Sequence, residues 1–167
     1  GRYQSKTSEY ANYYSEYALI KYRVKVEIEY FKALVQSDLP QLGGFDKLDL
    51  PKLESIATDF SESDAQRIKE IESTTNHDVK AVEYFIKEAF DRFGWQAHKE
   101  FIHFGLTSQD INNTSVPLSL RDGMKDIHVP ALKGVIEDIR SLAVKCKDIT
   151  LLARTHGQPA SPSNFGK

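Results

Sequence analysis

Between Tyr13 and Gln36 the chain contains neither glycine nor proline. Along it Tyr17, Ile20, Val24, Ile28, Phe31 and Val35 recur at steps of three or four, the spacing of one face of an α-helix. A rival reading exists, because Val24 to Tyr30 also alternates apolar and polar residues as a half-buried strand does. Strands rarely exceed about ten residues, so the length of the uninterrupted stretch predicts helix. A helix with a broad apolar face must bury it against other elements. The remaining patterns supply more helices, and the expected fold class is all-α.

Asp38 to Pro51 carries Pro40, Pro51 and the Gly43-Gly44 pair and reads as a loop, followed by a helix across Leu53 to Phe60. Ser61 offers a hydroxyl to the unpaired amides of the next helix, with Asp64 near its positive end. A break is expected at Ser73 to Asn76. Val79, Val82, Phe85, Ile86 and Ala89 then line a helix that stops near Gly94. Thr107 and Ser108 can cap a long helical stretch interrupted by Pro117 and Pro130. An interior proline costs about 3 kcal/mol, so this helix must kink or divide. Its second half repeats Leu132, Val135, Ile139, Leu142 and Cys146 as a narrow apolar seam suited to packing against other long helices. Ala153 to Pro162 reads as irregular, with Pro162 opening one more helix.

Composition narrows the function classes. A chain of 167 residues suits one domain or one domain and the start of another. With a net charge of −2 and no basic run, a nucleic-acid or membrane surface is not expected. No apolar run approaches the ~20 residues that span a bilayer, and no signal-peptide pattern opens the chain. Because the first residue is Gly1, a missing or processed natural N-terminus is expected. The single cysteine, Cys146, favours a reducing compartment and continues the apolar seam, so it reads as a buried small hydrophobe.

Three of the five histidines stand in polar turns at expected helix starts or irregular backbone: Asn76-His77-Asp78, His103 ahead of Thr107-Ser108, and Thr155-His156-Gly157-Gln158-Pro159. Helix starts expose unpaired amides that attract phosphates and carboxylates, and serine and threonine hydroxyls add donors there. Histidine exchanges protons near neutral pH. For each turn the plain alternative is an ordinary cap whose histidine bonds only backbone. His98 and His128 lack comparable company and read as surface or packing residues. Glu100-Phe101-Ile102-His103 matches the Glu-x-x-His element of di-iron bundles, but no second copy is present, and no metal is expected.

The blocks Thr74 to Tyr84, Phe101 to Asn113 and Arg154 to Ala160, in that order and at those intervals, resemble the adenylosuccinate lyase family of the fumarase/aspartase superfamily. Gly1-Arg2-Tyr3 resembles its entry segment, so the likeness covers the whole chain as an N-terminal portion. The resemblance implies an N-terminal helical domain over residues 1–107 and, over 108–167, the first long helix of a central helical-bundle domain. It implies a cytoplasmic homotetramer with active sites built from three chains, and no cofactor. The implied reactions are β-eliminations of purine biosynthesis. Adenylosuccinate yields AMP and fumarate, and the succinylated aminoimidazole-carboxamide ribotide (SAICAR) yields AICAR and fumarate.

By the same resemblance His156, beside Thr155, is the general acid. His77 is a substrate-binding histidine flanked by Asn76 and Asp78, Thr107 and Ser108 bond a succinyl carboxylate, and Arg2 with Tyr3 binds the nucleotide end. Two departures stand out. The family's Ser-Ser-x-Met-Pro-x-Lys-x-Asn loop, which carries the base, is missing, since the one methionine, Met124, sits in Asp-Gly-Met-Lys. Gln109 replaces an acidic residue of some relatives. The 167 residues alone are therefore expected to lack lyase activity. A different dicarboxylate lyase, or a non-catalytic helical scaffold, are the other readings.

Overall fold

The computed structural model describes residues 1–37 and 39–167; Asp38, the first residue of the expected loop, lies outside the described residues. The chain forms two compact units, Gly1–Gly123 and Met124–Lys167.

The first unit is helical. Its elements are α1 (Ala11–Tyr14), α2 (Glu16–Gln36), α3 (Leu50–Thr58), α4 (Glu62–Thr75), α5 (Asp78–Phe93) and α6 (Ser108–Gly123), with short 3₁₀ turns between several of them. The Ser15 hydroxyl accepts the Ala18 amide and starts α2. Ile20, Val24, Ile28, Phe31 and Val35 of the predicted face are buried, and so are Tyr22, Arg23, Val26 and Glu27 beside them. Helix α2 packs against α1, α3, α4, α5 and α6. A helix with neighbours on several sides is apolar over more than one stripe, which is why its sequence also alternates like a strand.

The core around α2 is rich in aromatic rings. Phe31 meets Phe45 and Phe90 edge-on, with centroids 5.4 and 4.9 Å apart. Trp95 closes the cluster against Phe90 at 5.2 Å and donates its indole N–H to Asp49. Helix α3 starts earlier than the sequence suggests, because Pro51 occupies its first turn, where a missing N–H breaks no bond. At α4, Ser61 and Asp64 form a reciprocal capping box. The break expected over Ser73 to Asn76 comes at its last residue, Asn76, whose left-handed backbone (φ 51°) ends α4. Gly94 (φ 82°) ends α5 in the same way.

Helix α6 continues through Pro117, which sits on its exposed side. Its buried residues are Ile111, Ser115, Ser119 and Gly123, one per turn. The small residues Ser115, Ser119 and Gly123 bring its backbone close to α1 and α2: Ser119 donates to the Tyr13 carbonyl, Tyr22 donates to Asp122, and a Cβ on Gly123 would overlap the Tyr14 hydroxyl. The expected division of the long helix occurs after Gly123, at a π turn over Met124–His128. Pro130 then lies in the first turn of α7 (Val129–Lys145).

In the second unit Leu132, Val135, Ile139 and Leu142 of the predicted seam are each more than half exposed, while Cys146 is buried. The segment expected to be irregular is an antiparallel hairpin of β1 (Thr150–Thr155) and β2 (Gln158–Asn164), with a bulge between Leu152 and Arg154. His156 (φ 48°) and Gly157 (φ 74°) form its two-residue turn, both with the positive φ that a tight hairpin turn requires. Pro162 pairs with Leu152 and opens no helix. A two-stranded ribbon consists of edges, where proline is tolerated. The fold remains helical apart from this ribbon.

Phe31 has aromatic contacts on both sides and no exposed surface to relieve a cavity. Replacing it with alanine is expected to lower the unfolding free energy of this chain by about 3–5 kcal/mol in urea titration. A loss under about 1 kcal/mol would contradict the central place given to α2.

Candidate active site

Two of the three polar turns meet in the first unit. Asn76 reverses the chain between α4 and α5, and His77 follows as the N-cap of α5. The His77 Nδ1 accepts the Lys80 amide at 3.1 Å. A neutral ring bonded this way carries its proton on Nε2. Nε2 lies 3.4 Å from the Ser108 hydroxyl oxygen at the start of α6. An imidazole N–H and a serine hydroxyl thus face one another, able to donate together to an oxyanion.

Several backbone amides at these helix starts already have side-chain partners. Asp78 takes the Val79 amide at 2.8 Å and His77 takes that of Lys80. Asp110 takes both the amide and the hydroxyl of Thr107, at 2.7 and 2.9 Å. Those two bonds hold the Asp110 carboxyl below the usual carboxylate range. Side chains thus occupy part of each helix end, and Ser108 and His77 stand beside them.

His156 and Thr155 belong to the second unit, exposed at the hairpin tip. Arg2 and Tyr3 lie exposed in the N-terminal turns of the first unit, the guanidinium carbon 5.6 Å above the tyrosine ring. Their contacts are local, such as the Thr7 hydroxyl donating to the Tyr3 carbonyl. Among the described residues the non-glycine positions with positive φ are Asn76, His103 and His156. Each falls in one of the three polar turns singled out from the sequence. Left-handed backbone costs a side-chain-bearing residue of order 1–2 kcal/mol and collects at functional sites.

A family model described as lyase matches residues 1–167. The chain belongs to this lyase family. It is 53% identical to an adenylosuccinate lyase of Dictyostelium discoideum, 49% to one of Vibrio cholerae serotype O1 and 46% to one of Escherichia coli K12. Each alignment covers 100% of this chain, and the chain spans 37% of each relative's length. Among solved structures, a fumarate lyase from Mesorhizobium sp. BNC1 matches with a TM-score of 0.71 at 21% identity, over 95% of this chain and 35% of that one. The β-carboxy-cis,cis-muconate cycloisomerase of Acinetobacter calcoaceticus sp. ADP1 matches with 0.68 at 21% identity, over 99% and 38%. Those two likenesses show the fold.

In this lyase chain a second layer of polar residues stands behind the turns, and sequence reading missed it. Arg23 of α2 is buried; its Nη2 lies 2.7 Å from Asp78 Oδ2 and its Nε donates to Asn112 Oδ1 at 3.0 Å. One guanidinium therefore ties α2 to the starts of α5 and α6. One turn on, buried Glu27 meets His103 Nδ1 at 2.5 Å. Glu83 of α5 is buried too, taking Lys80 at 2.8 Å and Lys87 at 3.1 Å. Burial alone would raise the Glu83 carboxyl, but these two lysines hold it below its ordinary value. No periodicity rule points to buried charges. The signal available was Arg23 and Glu27 lying beside the apolar stripe of a helix too long and too hydrophobic to be a surface element.

Burial would likewise raise Asp78; the Val79 amide and the charge and hydrogen bond of Arg23 outweigh it and leave the carboxyl below its usual value. A carboxylate lowered by folding contributes stability above its unfolded pKa and loses it as pH falls through the folded one. Asp78→Asn in this chain is thus expected to flatten the acid side of its stability curve, measured by urea unfolding between about pH 7 and pH 3. An acid limb as steep as that of the unsubstituted chain would contradict the assignment.

Proposed function

We propose that this chain is the N-terminal portion of an adenylosuccinate lyase. The enzyme would cleave adenylosuccinate to AMP and fumarate, and SAICAR to AICAR and fumarate, by β-elimination of a carbon–nitrogen bond in purine biosynthesis. The observation that carries the reading is the meeting of His77 and Ser108, 3.4 Å apart, within a chain 46–53% identical to adenylosuccinate lyases along its whole length. The fold is shared with a cycloisomerase, so fold alone selects no reaction; the identity and the polar turns favour this one.

Elimination beside a carboxylate builds negative charge as a proton leaves, and preorganised donors stabilise it without reorganising. Ser108 and the His77 Nε2–H are placed for that task, with Thr107 supporting through Asp110 and with Asn76 and Asp78 shaping the turn. His156 acts as the acid that protonates the departing nitrogen, Thr155 beside it. Arg2 and Tyr3 bind the nucleotide end, where a guanidinium suits a phosphate. A homotetramer in the cytoplasm follows from the same reading, and the exposed seam of α7 supplies an apolar face for a central bundle that begins at residue 108, after an N-terminal domain over 1–107. The chemistry needs no cofactor, and the small-molecule substrates adenylosuccinate and SAICAR, not nucleic acid or membrane, are the partners. Among the described residues no helix is long and apolar enough to cross a membrane.

His156→Gln in the full-length protein is expected to lower kcat for fumarate release by about 10²–10⁴-fold with folding unchanged, the usual contribution of a positioned acid. Retained turnover would remove His156 from that role. The 167 residues alone, assayed likewise, should release no fumarate from either succinyl adduct. Turnover by the isolated chain would overturn the view that its base lies in other sequence.

A further inference from the structure

We propose that Glu27 is a positioning residue, whose carboxylate holds the His103 ring in one tautomer and one orientation beside the start of α6. The inference rests on the lyase reading for its catalytic consequence, though not for its geometry. The Glu27 side chain has no exposed surface, its Oε1 meets His103 Nδ1 at 2.5 Å, and its Oε2 is buried without a hydrogen-bond partner. A buried carboxylate with an orphaned oxygen is a poor way to stabilise a core. Replacing such ion pairs by apolar groups is often neutral or favourable. Its presence on the innermost helix calls for another reason.

The surroundings supply one. Burial pushes the Glu27 carboxyl up, and the nearby Glu83 pushes the same way, while the His103 hydrogen bond and charge pull it down. Lys80 and Lys87 of α5 neutralise Glu83, and Glu100 shares Lys87. Glu27 therefore faces one strong partner, His103. That residue sits at φ 60°, in a turn closed by the Leu106 amide bonding to its own carbonyl. With Nδ1 committed to Glu27, Nε2 is the ring atom left for a ligand, and part of the side chain remains accessible. A carboxylate that orients an imidazole through Nδ1 is a recurrent way to fix which nitrogen acts. Arg23, one turn earlier on α2, holds the other corner through Asp78. Together the two residues present the histidines of both turns from one rigid helix.

Two readouts test this. Ring ¹H–¹⁵N spectra of this chain should show His103 protonated on Nδ1 in the unsubstituted protein and in Glu27→Gln, whose amide oxygen still accepts that proton. The Nδ1–H signal should be lost in Glu27→Leu. In the full-length protein Glu27→Leu should keep its melting temperature and lose about 100-fold in kcat/KM, the scale of an ångström-sized misplacement. Glu27→Gln should recover to within about tenfold of the unsubstituted enzyme, since it keeps the contact. An Nε2–H tautomer in the unsubstituted chain, or undiminished kcat/KM in the leucine variant, would overturn the proposal. Should the leucine variant not fold, the tautomer of the unsubstituted chain decides. If the unsubstituted full-length protein releases no fumarate, the lyase reading falls while the ring spectra still decide whether Glu27 holds His103.

Discussion

One guanidinium organises this molecule. Arg23 is buried on the innermost helix, and its fork reaches Asp78 at the start of α5 and Asn112 in the first turns of α6. A buried arginine must find partners for its donors or carry a large desolvation cost. Here the partners are two residues that border the polar turns. The energetic demand of the core and the geometric demand of the site are met by the same contacts. Remove the fork, and the His77 turn and the Ser108 turn would lose their shared tie to α2 through Arg23.

The helical part of this arrangement is legible in the amino-acid order because it follows period and punctuation. The face of α2, the Ser61–Asp64 cap and the stop at Gly94 appear where the spacing of apolar residues and the turn chemistry put them. Helix α6 is different. Beyond Ile111 it buries Ser115, Ser119 and Gly123 rather than large apolar groups, so a search for hydrophobic periodicity passes over most of the stripe that docks it. The hairpin was hidden by Pro159 and Pro162, which argue against strands in general and are harmless at an edge. The pair His156-Gly157 between two short extended segments was its turn signal, weaker than an Asn-Gly would have been.

The candidate site divides along the same line. Residues in polar turns announce themselves by type and company, and His77 and Ser108 do come together. Thr107 was visible as a polar residue, and Asp110 three residues on engages it as Asp64 engages Ser61, a spacing the sequence also carries. Arg23 and Glu27 were invisible because charged residues on a helix ordinarily face water. The left-handed backbone at Asn76 ends a helix and that at His156 makes a hairpin turn, while His103 adopts it in the turn ahead of α6.

The most direct test of this account is a double-mutant cycle on Arg23 and Asp78 in this chain, comparing Arg23→Met, Asp78→Asn and the pair by urea unfolding at neutral pH. If the guanidinium anchors the His77 turn, the two substitutions should be coupled by about 1–3 kcal/mol, the range of residues sharing one network. Additive losses, with coupling below about 0.5 kcal/mol, would mean that the caps hold the turn without Arg23.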